Sequence, residues 1–194
     1  MLRRLPLAIC LTALMLLATG CGDKSTVTRP TLSQVKPDVT GADPRLVKIS
    51  EQSSLLISGG EPAFEARLKS LKGLPVVANK WASWCAPCIA EAPDLQKTVK
   101  KYGDRVAFLG VNVADSNAKA KQFLRKYPQA YPSYIDLDLK IAKQFPPAGS
   151  PPVTNIYDAE GRLVRSVVGQ IQSAAELDEI IERYAGPIAA GPNN

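Results

Sequence analysis

The residues best placed to do chemistry are two cysteines, Cys85 and Cys88, in Trp81-Ala82-Ser83-Trp84-Cys85-Ala86-Pro87-Cys88. The apolar, β-prone run Pro75-Val76-Val77-Ala78 precedes them, and a stretch of helical character starts near Ala86. Cys85 therefore falls at a strand-to-helix turn. Free N–H groups at a helix N-terminus favour an anion, so a thiol there ionises more readily, and the thiolate is the nucleophile. Cys88, one turn on, can close a disulfide with Cys85 and is expected to be the more buried of the two. Pro87 suits a first helical turn, where its missing N–H costs nothing. A C-x-x-C beside a strand-helix-strand pattern reads as a redox dithiol. Two plainer readings compete, half a zinc site or an inert disulfide. Structural zinc usually takes four Cys or His ligands; this chain has no histidine, and its other cysteines are Cys10 and Cys21. A disulfide closing so short a loop restrains little of the unfolded chain.

The elements that must hold the pair follow from periodicity and turn chemistry. Phe64, Leu68 and Leu71 share helical spacing within residues 61–71, and Gly73 ends that helix. Residues 75–81 make a strand buried on both faces. The helix after the cysteines runs over 86–102 and contains Pro93, which should kink it. Residues 105–113 form the second strand. Ser116 caps a helix reaching about Tyr127. Pro128 and Pro132 mark a loop, followed by a short strand at Tyr134-Ile135 and a short helix over 139–145. Residues 153–157 form the third long strand, 158–161 a hairpin turn and 162–168 an antiparallel return. Ser173 caps a last helix to Tyr184, with Leu177, Ile180 and Ile181 on one face. The region 47–57 offers an edge strand.

Composition bounds the rest. With 194 residues, 45% hydrophobic and 22% charged, the chain has room for one globular domain plus extensions. The net charge of +6 is dispersed and gives no support for nucleic-acid binding. Arg3 and Arg4 precede the apolar stretch 5–18, which is too short for a comfortable membrane span and has the layout of a secretory signal. Residues 22–49 are rich in Thr, Ser, Pro, Asp and Lys and lack aromatics, the composition of a flexible linker. Such a coil spans about 30 Å root mean square.

Trp81 to Cys88, followed by Glu91-Ala92-Pro93, resembles the TlpA-like branch of the thioredoxin superfamily, which includes the ResA and DsbE types of membrane-tethered thiol-disulfide oxidoreductase. The resemblance spans roughly residues 60–184. It implies an α/β, thioredoxin-like fold: a central mixed β-sheet flanked by helices, with the strand and helix between 134 and 145 as a TlpA-like central insertion. It implies a cis-proline before the third long strand, facing the dithiol; Pro152 matches, with Pro151 as rival. It sets Glu91 near the dithiol as a third catalytic group, able to take the Cys88 proton. Asn79 stands where thioredoxin proper has a buried acid, and Asn cannot titrate. Trp84 becomes an apolar wall over the disulfide, and Trp84, Pro87, Pro151 and Pro152 become the substrate-binding surface. Trp81 is expected to serve packing. Lys80 departs from the aromatic residue usual in the family and is expected to snorkel toward the strand end.

Leu17-Ala18-Thr19-Gly20-Cys21 similarly resembles a bacterial lipobox, with Ala18 where Leu is usual. The implied organisation is a lipoprotein signal peptide over 1–20, lipidation at Cys21, a flexible tether over 21–49, the thioredoxin-like domain over 50–186 and a disordered tail over 187–194. Only Cys85 and Cys88 would then remain as thiols, in a compartment where disulfides persist. The implied function is disulfide exchange with protein substrates at the outer face of the bacterial cytoplasmic membrane. The protein would act as a monomer, with a membrane-embedded redox partner and with no metal, cofactor or nucleic acid. It would serve as a reductant, for example in cytochrome c maturation, or as an oxidant of secreted proteins. A thioredoxin-fold peroxidase and a non-catalytic peptide-binding module remain as alternatives.

Overall fold

The apolar run after Pro75 becomes β2 (Val76–Trp81), and all of its residues are buried. A strand buried on both faces needs neighbours on both sides and layers above and below. β2 has parallel β3 (Ala107–Val113) on one side and antiparallel β5 (Val153–Tyr157) on the other. The computed structural model describes residues 29–145 and 150–186. It extends this centre through β4 (Ser133–Asp136), parallel to β3, and the two-residue β1 (Leu56–Ile57), parallel to β4. On the far side β6 (Leu163–Val168) pairs antiparallel with β5, giving the order β1-β4-β3-β2-β5-β6. The sheet is the mixed one expected. Gly161 closes the β5–β6 turn at φ 80°, a left-handed conformation that glycine adopts without steric cost.

Helices cover the sheet: α1 (Leu32–Val35), α2 (Pro44–Glu51), α3 (Gly60–Ser70), α4 (Ala86–Tyr102), α5 (Asn117–Lys126) and α6 (Ala174–Tyr184). Ser116 and Ser173 cap α5 and α6 as predicted, each hydroxyl accepting a backbone N–H from the first turn. Pro93 lies inside α4. α4 is tied to α6 by Thr98 and Lys101, which donate to Asp178 at 2.8 Å each, and by Tyr102, which donates to Glu182. Trp81 packs as expected, stacked on Phe123 with ring centroids 4.5 Å apart and its indole N–H on Ser133 Oγ. Gly110 sits beneath that bond, where a Cβ would come within 2.0 Å of Ser133 Oγ.

Three expectations are corrected. The linker composition of 21–49 does not give a flexible tether throughout. Asp43 caps α2 by accepting the Arg45 N–H, Pro44 occupies its first turn, and Val35, Leu46 and Ile49 are buried in the core. The edge strand expected over 47–57 shrinks to β1, because residues 47–51 are helical. The short helix over 139–145 is one 3-10 turn at Ala142–Gln144, held where Asp136 accepts the Ile141 and Ala142 N–H groups. The expected signal peptide, Cys21 and the tail over 187–194 lie outside the described residues.

Candidate active site

β2 ends at Trp81 and the chain turns through Ala82, Ser83 and Trp84 before α4 begins. Asp115, just beyond β3, fixes that turn: its carboxylate accepts Ser83 N–H at 2.7 Å, Ser83 Oγ–H at 2.8 Å and Asn112 Nδ2 at 3.1 Å. Trp84 donates its indole N–H to the Ala114 carbonyl at 3.0 Å, and Ala114 itself has φ 46°. Asp115 was not legible as a site residue. The turn it fixes, at Ser83, is 32 positions away, and the local signal is only an Asn and a short acid three residues apart at a strand end.

Cys85 is the N-cap of α4, and Cys88 lies in its first turn. Their sulfurs form a disulfide of 2.03 Å, and Cys85 Sγ also accepts the Cys88 N–H at 3.2 Å. Exposure does not separate the two as expected, since Cys85 is 3% and Cys88 2% exposed. The Pro151 loop lies against Cys85. The cis peptide bond lies between Pro151 and Pro152, so Pro152 is the cis-proline and the rival assignment falls. The Pro151 carbonyl oxygen lies 3.4 Å from Cys85 Sγ. A disulfide sulfur carries no proton, so this is a contact in the oxidised form; a reduced Cys85 thiol has an acceptor there.

Beneath the helix start, Glu91 is fully buried. One carboxylate oxygen accepts Asn79 Nδ2 and the other the Ile171 N–H, each at 2.9 Å. Burial outweighs these two bonds and pushes the Glu91 carboxyl up to about 7. Asn79 also donates to Thr154 Oγ1 at 3.1 Å, two residues past the cis-proline. Glu91, Asn79 and Thr154 therefore bridge α4, β2 and β5 under the disulfide. Tyr131 is buried, with a hydroxyl that has no hydrogen-bond partner among the described residues. Burial, with the Glu91 charge adding, holds that phenol well above its usual range.

Lys80 does not snorkel out as expected. It is 1% exposed, with Nζ 5.7 Å from the centre of the Phe145 ring. Burial lowers its pKa, and the charge of the buried Asp136 offsets part of the shift, so the ammonium has company inside and need not reach water. The outer surface of the site is Trp84, 54% exposed, with Pro87 exposed and Pro151 half-buried; Pro152 is buried. Cys85, Cys88, Trp84, Pro87, Pro151, Pro152 and Glu91 thus converge on one end of the sheet.

A paired dithiol at a helix N-terminus, opposite a cis-proline in a mixed sheet of this order, defines a thioredoxin-fold thiol-disulfide oxidoreductase. The sequence model of the AhpC/TSA family matches residues 61–166, more than half of the chain, and the protein belongs to that family. Its relatives include the thiol-disulfide oxidoreductase ResA of Bacillus cereus, 25% identical over 143 residues, which are 73% of this chain and 82% of the relative. The thiol:disulfide interchange protein DsbE of Allochromatium vinosum is 35% identical over 120 residues, 60% of this chain and 65% of that protein. Among solved structures, the exposed lipoprotein thioredoxin of Streptococcus pneumoniae superposes with a TM-score of 0.51 at 28% identity, covering 59% of this chain and 89% of that one. The protein is a thiol-disulfide oxidoreductase of the ResA/DsbE type.

Proposed function

We propose that the protein exchanges disulfides with protein substrates outside the cytoplasm, anchored by lipid at Cys21 to the outer face of the cytoplasmic membrane and working as a monomer with a membrane-embedded redox partner. The observation that carries the exchange chemistry is the position of Cys85 as N-cap of α4, beside the Pro151 carbonyl and one turn before Cys88. In the reducing direction, Cys85 thiolate attacks one sulfur of a partner disulfide. The partner S–S bond breaks, a mixed disulfide forms and the released partner sulfur takes up a proton. Cys88 then loses its proton to Glu91, attacks Cys85 Sγ and expels the second partner sulfur. The partner gains two electrons, and Cys85–Cys88 becomes the disulfide. Oxidation of a partner dithiol is the same path reversed. Which way it runs is set by potential, where about 30 mV is worth 1.4 kcal/mol.

Glu91 is assigned the proton because it lies three residues beyond Cys88, a spacing that shares one helix face, and because its carboxyl is held near 7. The anchor reading rests on the lipobox-like residues before Cys21 and on the lipoprotein character of the pneumococcal neighbour. Two assays test these parts. The reduced protein should reduce, or its oxidised form oxidise, a cysteine-pair peptide in a single turnover, and Cys85→Ser should be inert; activity in Cys85→Ser refutes the exchange reading. Cys21→Ser should release the protein from membranes, and an unmodified N-terminus on the mature wild type, by mass spectrometry, refutes the anchor.

A further inference from the structure

The disulfide lies between two open grooves that share Trp84 as a wall. One, about 390 Å³, runs along Pro151, with Lys80 in its wall and Lys143 at its rim. The other, about 360 Å³, runs along α5, with Lys119 and Lys126 at its edge. Among the described residues, neither groove is lined by an Asp or Glu. Lys119, Lys126 and Lys143 are exposed. Asp115 holds Ser83, Asp136 holds the 3-10 turn and Glu91 is buried under α4, all three facing inward, while Asp138, next to Leu139, is exposed and paired with Lys140 at 3.0 Å. Between the lysines the surface is apolar, with Trp84 54% and Leu139 42% exposed. Grooves lined by one sign of charge concentrate partners of the opposite sign and raise their association rate.

Resting on the exchange reading above, we propose that this face docks protein substrates whose reactive cysteines lie in an acidic segment. An apolar residue of the substrate packs on Trp84 and Leu139, and Asp or Glu side chains on either side of its cysteine meet Lys143 in one groove and Lys119 and Lys126 in the other. An anionic bilayer is the rival occupant of a basic face. It is disfavoured because the lysines surround the disulfide, and a bilayer seated on them would cover the sulfur that has to react.

The test uses the full chain carrying Cys88→Ser, so that the mixed disulfide at Cys85 is the endpoint. The probes are two disulfide-bonded peptides, identical except for Glu or Gln flanking each cysteine. Rates are normalised to their reaction with a small neutral thiol. The Glu peptide is expected to react about tenfold faster at low salt, with the advantage shrinking as salt screens it. Combining Lys119→Gln, Lys126→Gln and Lys143→Gln, all at exposed positions, should bring the ratio close to one. Equal rates for the two peptides, or a ratio that survives the three substitutions, overturn the proposal while leaving the exchange reading standing. No mixed disulfide with either peptide overturns both. If the three substitutions abolish sedimentation with phosphatidylglycerol vesicles and the peptide ratio is one from the start, the lysines serve lipid and the proposal is wrong.

Discussion

β2 carries a buried ionisable environment on each of its faces, and the two are used differently. On one face Asn79 points to Glu91 in α4; on the other, Lys80 lies beside Phe145 and Asp136. Burial drives both titrations toward neutrality, raising Glu91 and lowering Lys80. Glu91 is clamped at both oxygens and lies three residues beyond Cys88, with its carboxyl raised to about 7, which is what the proposed role as acceptor of the Cys88 proton requires. Lys80 borders an open groove instead, and the buried Asp136 offsets its charge. The same desolvation acts on a carboxyl clamped by two hydrogen bonds three residues beyond Cys88 and on an ammonium held near Asp136 and Phe145.

The difference is broken most severely at Glu91. Glu91→Gln keeps the size and removes the base, so resolution of a mixed disulfide should slow by roughly 10² to 10⁴, with less effect on attack by Cys85. Stopped-flow single turnovers against pH check this, and wild-type resolution throughout would return Glu91 to a packing role. The wild-type rate should rise as pH passes about 7, the value at which Glu91 loses its proton.

The same carboxyl has a signature in stability. Glu91 holds its proton in the folded protein up to about 7, whereas its ordinary value is 4.5. Its contribution is therefore fully present below about 4.5 and is lost as pH rises through about 7, by about 3 kcal/mol at most. Denaturant titrations across that window should show the loss in the wild type and a flatter profile in Glu91→Gln. Equal profiles would mean that the acid is solvated.

Asn79 and Lys80 separate the faces. The Asn79 bond favours the ionised acid, so Asn79→Leu should move the inflection in the resolution rate upward, by about one pH unit. Lys80→Met, on the opposite face, should move it by no more than a few tenths. A shift of similar size in both variants would merge the two faces into one electrostatic unit.

Much of this arrangement is legible in the chain, because β2, α4 and β5 have short-range signals: an apolar run, a cysteine-proline turn and a proline pair before a β-branched strand. The Asp43-Pro44 start of α2 was present too, but the surrounding polar, proline-rich composition reads as linker when Leu46 and Ile49 are not seen meeting the core. Lys80 reads as a snorkelling residue because its compensating groups, Asp136 and Phe145, arrive from positions more than fifty residues on. Asp115 is missed for the same reason. Long-range polar partners decide how a buried charge is held, and local patterning does not reveal them. The near-equal burial of the two cysteines goes with the Pro151 loop lying against Cys85, again a tertiary effect.

The central claim is the division of labour between the two sulfurs, and trapping of mixed disulfides tests it most directly. Cys88→Ser and Cys85→Ser proteins are each incubated with protein substrates, quenched with acid and alkylated, and the adducts are resolved without reductant and again with it. Cys88→Ser should accumulate reductant-sensitive adducts through Cys85, because the helix N-terminus favours its thiolate, while Cys85→Ser should accumulate almost none. Equal trapping by the two variants, or trapping only through Cys88, would contradict the account.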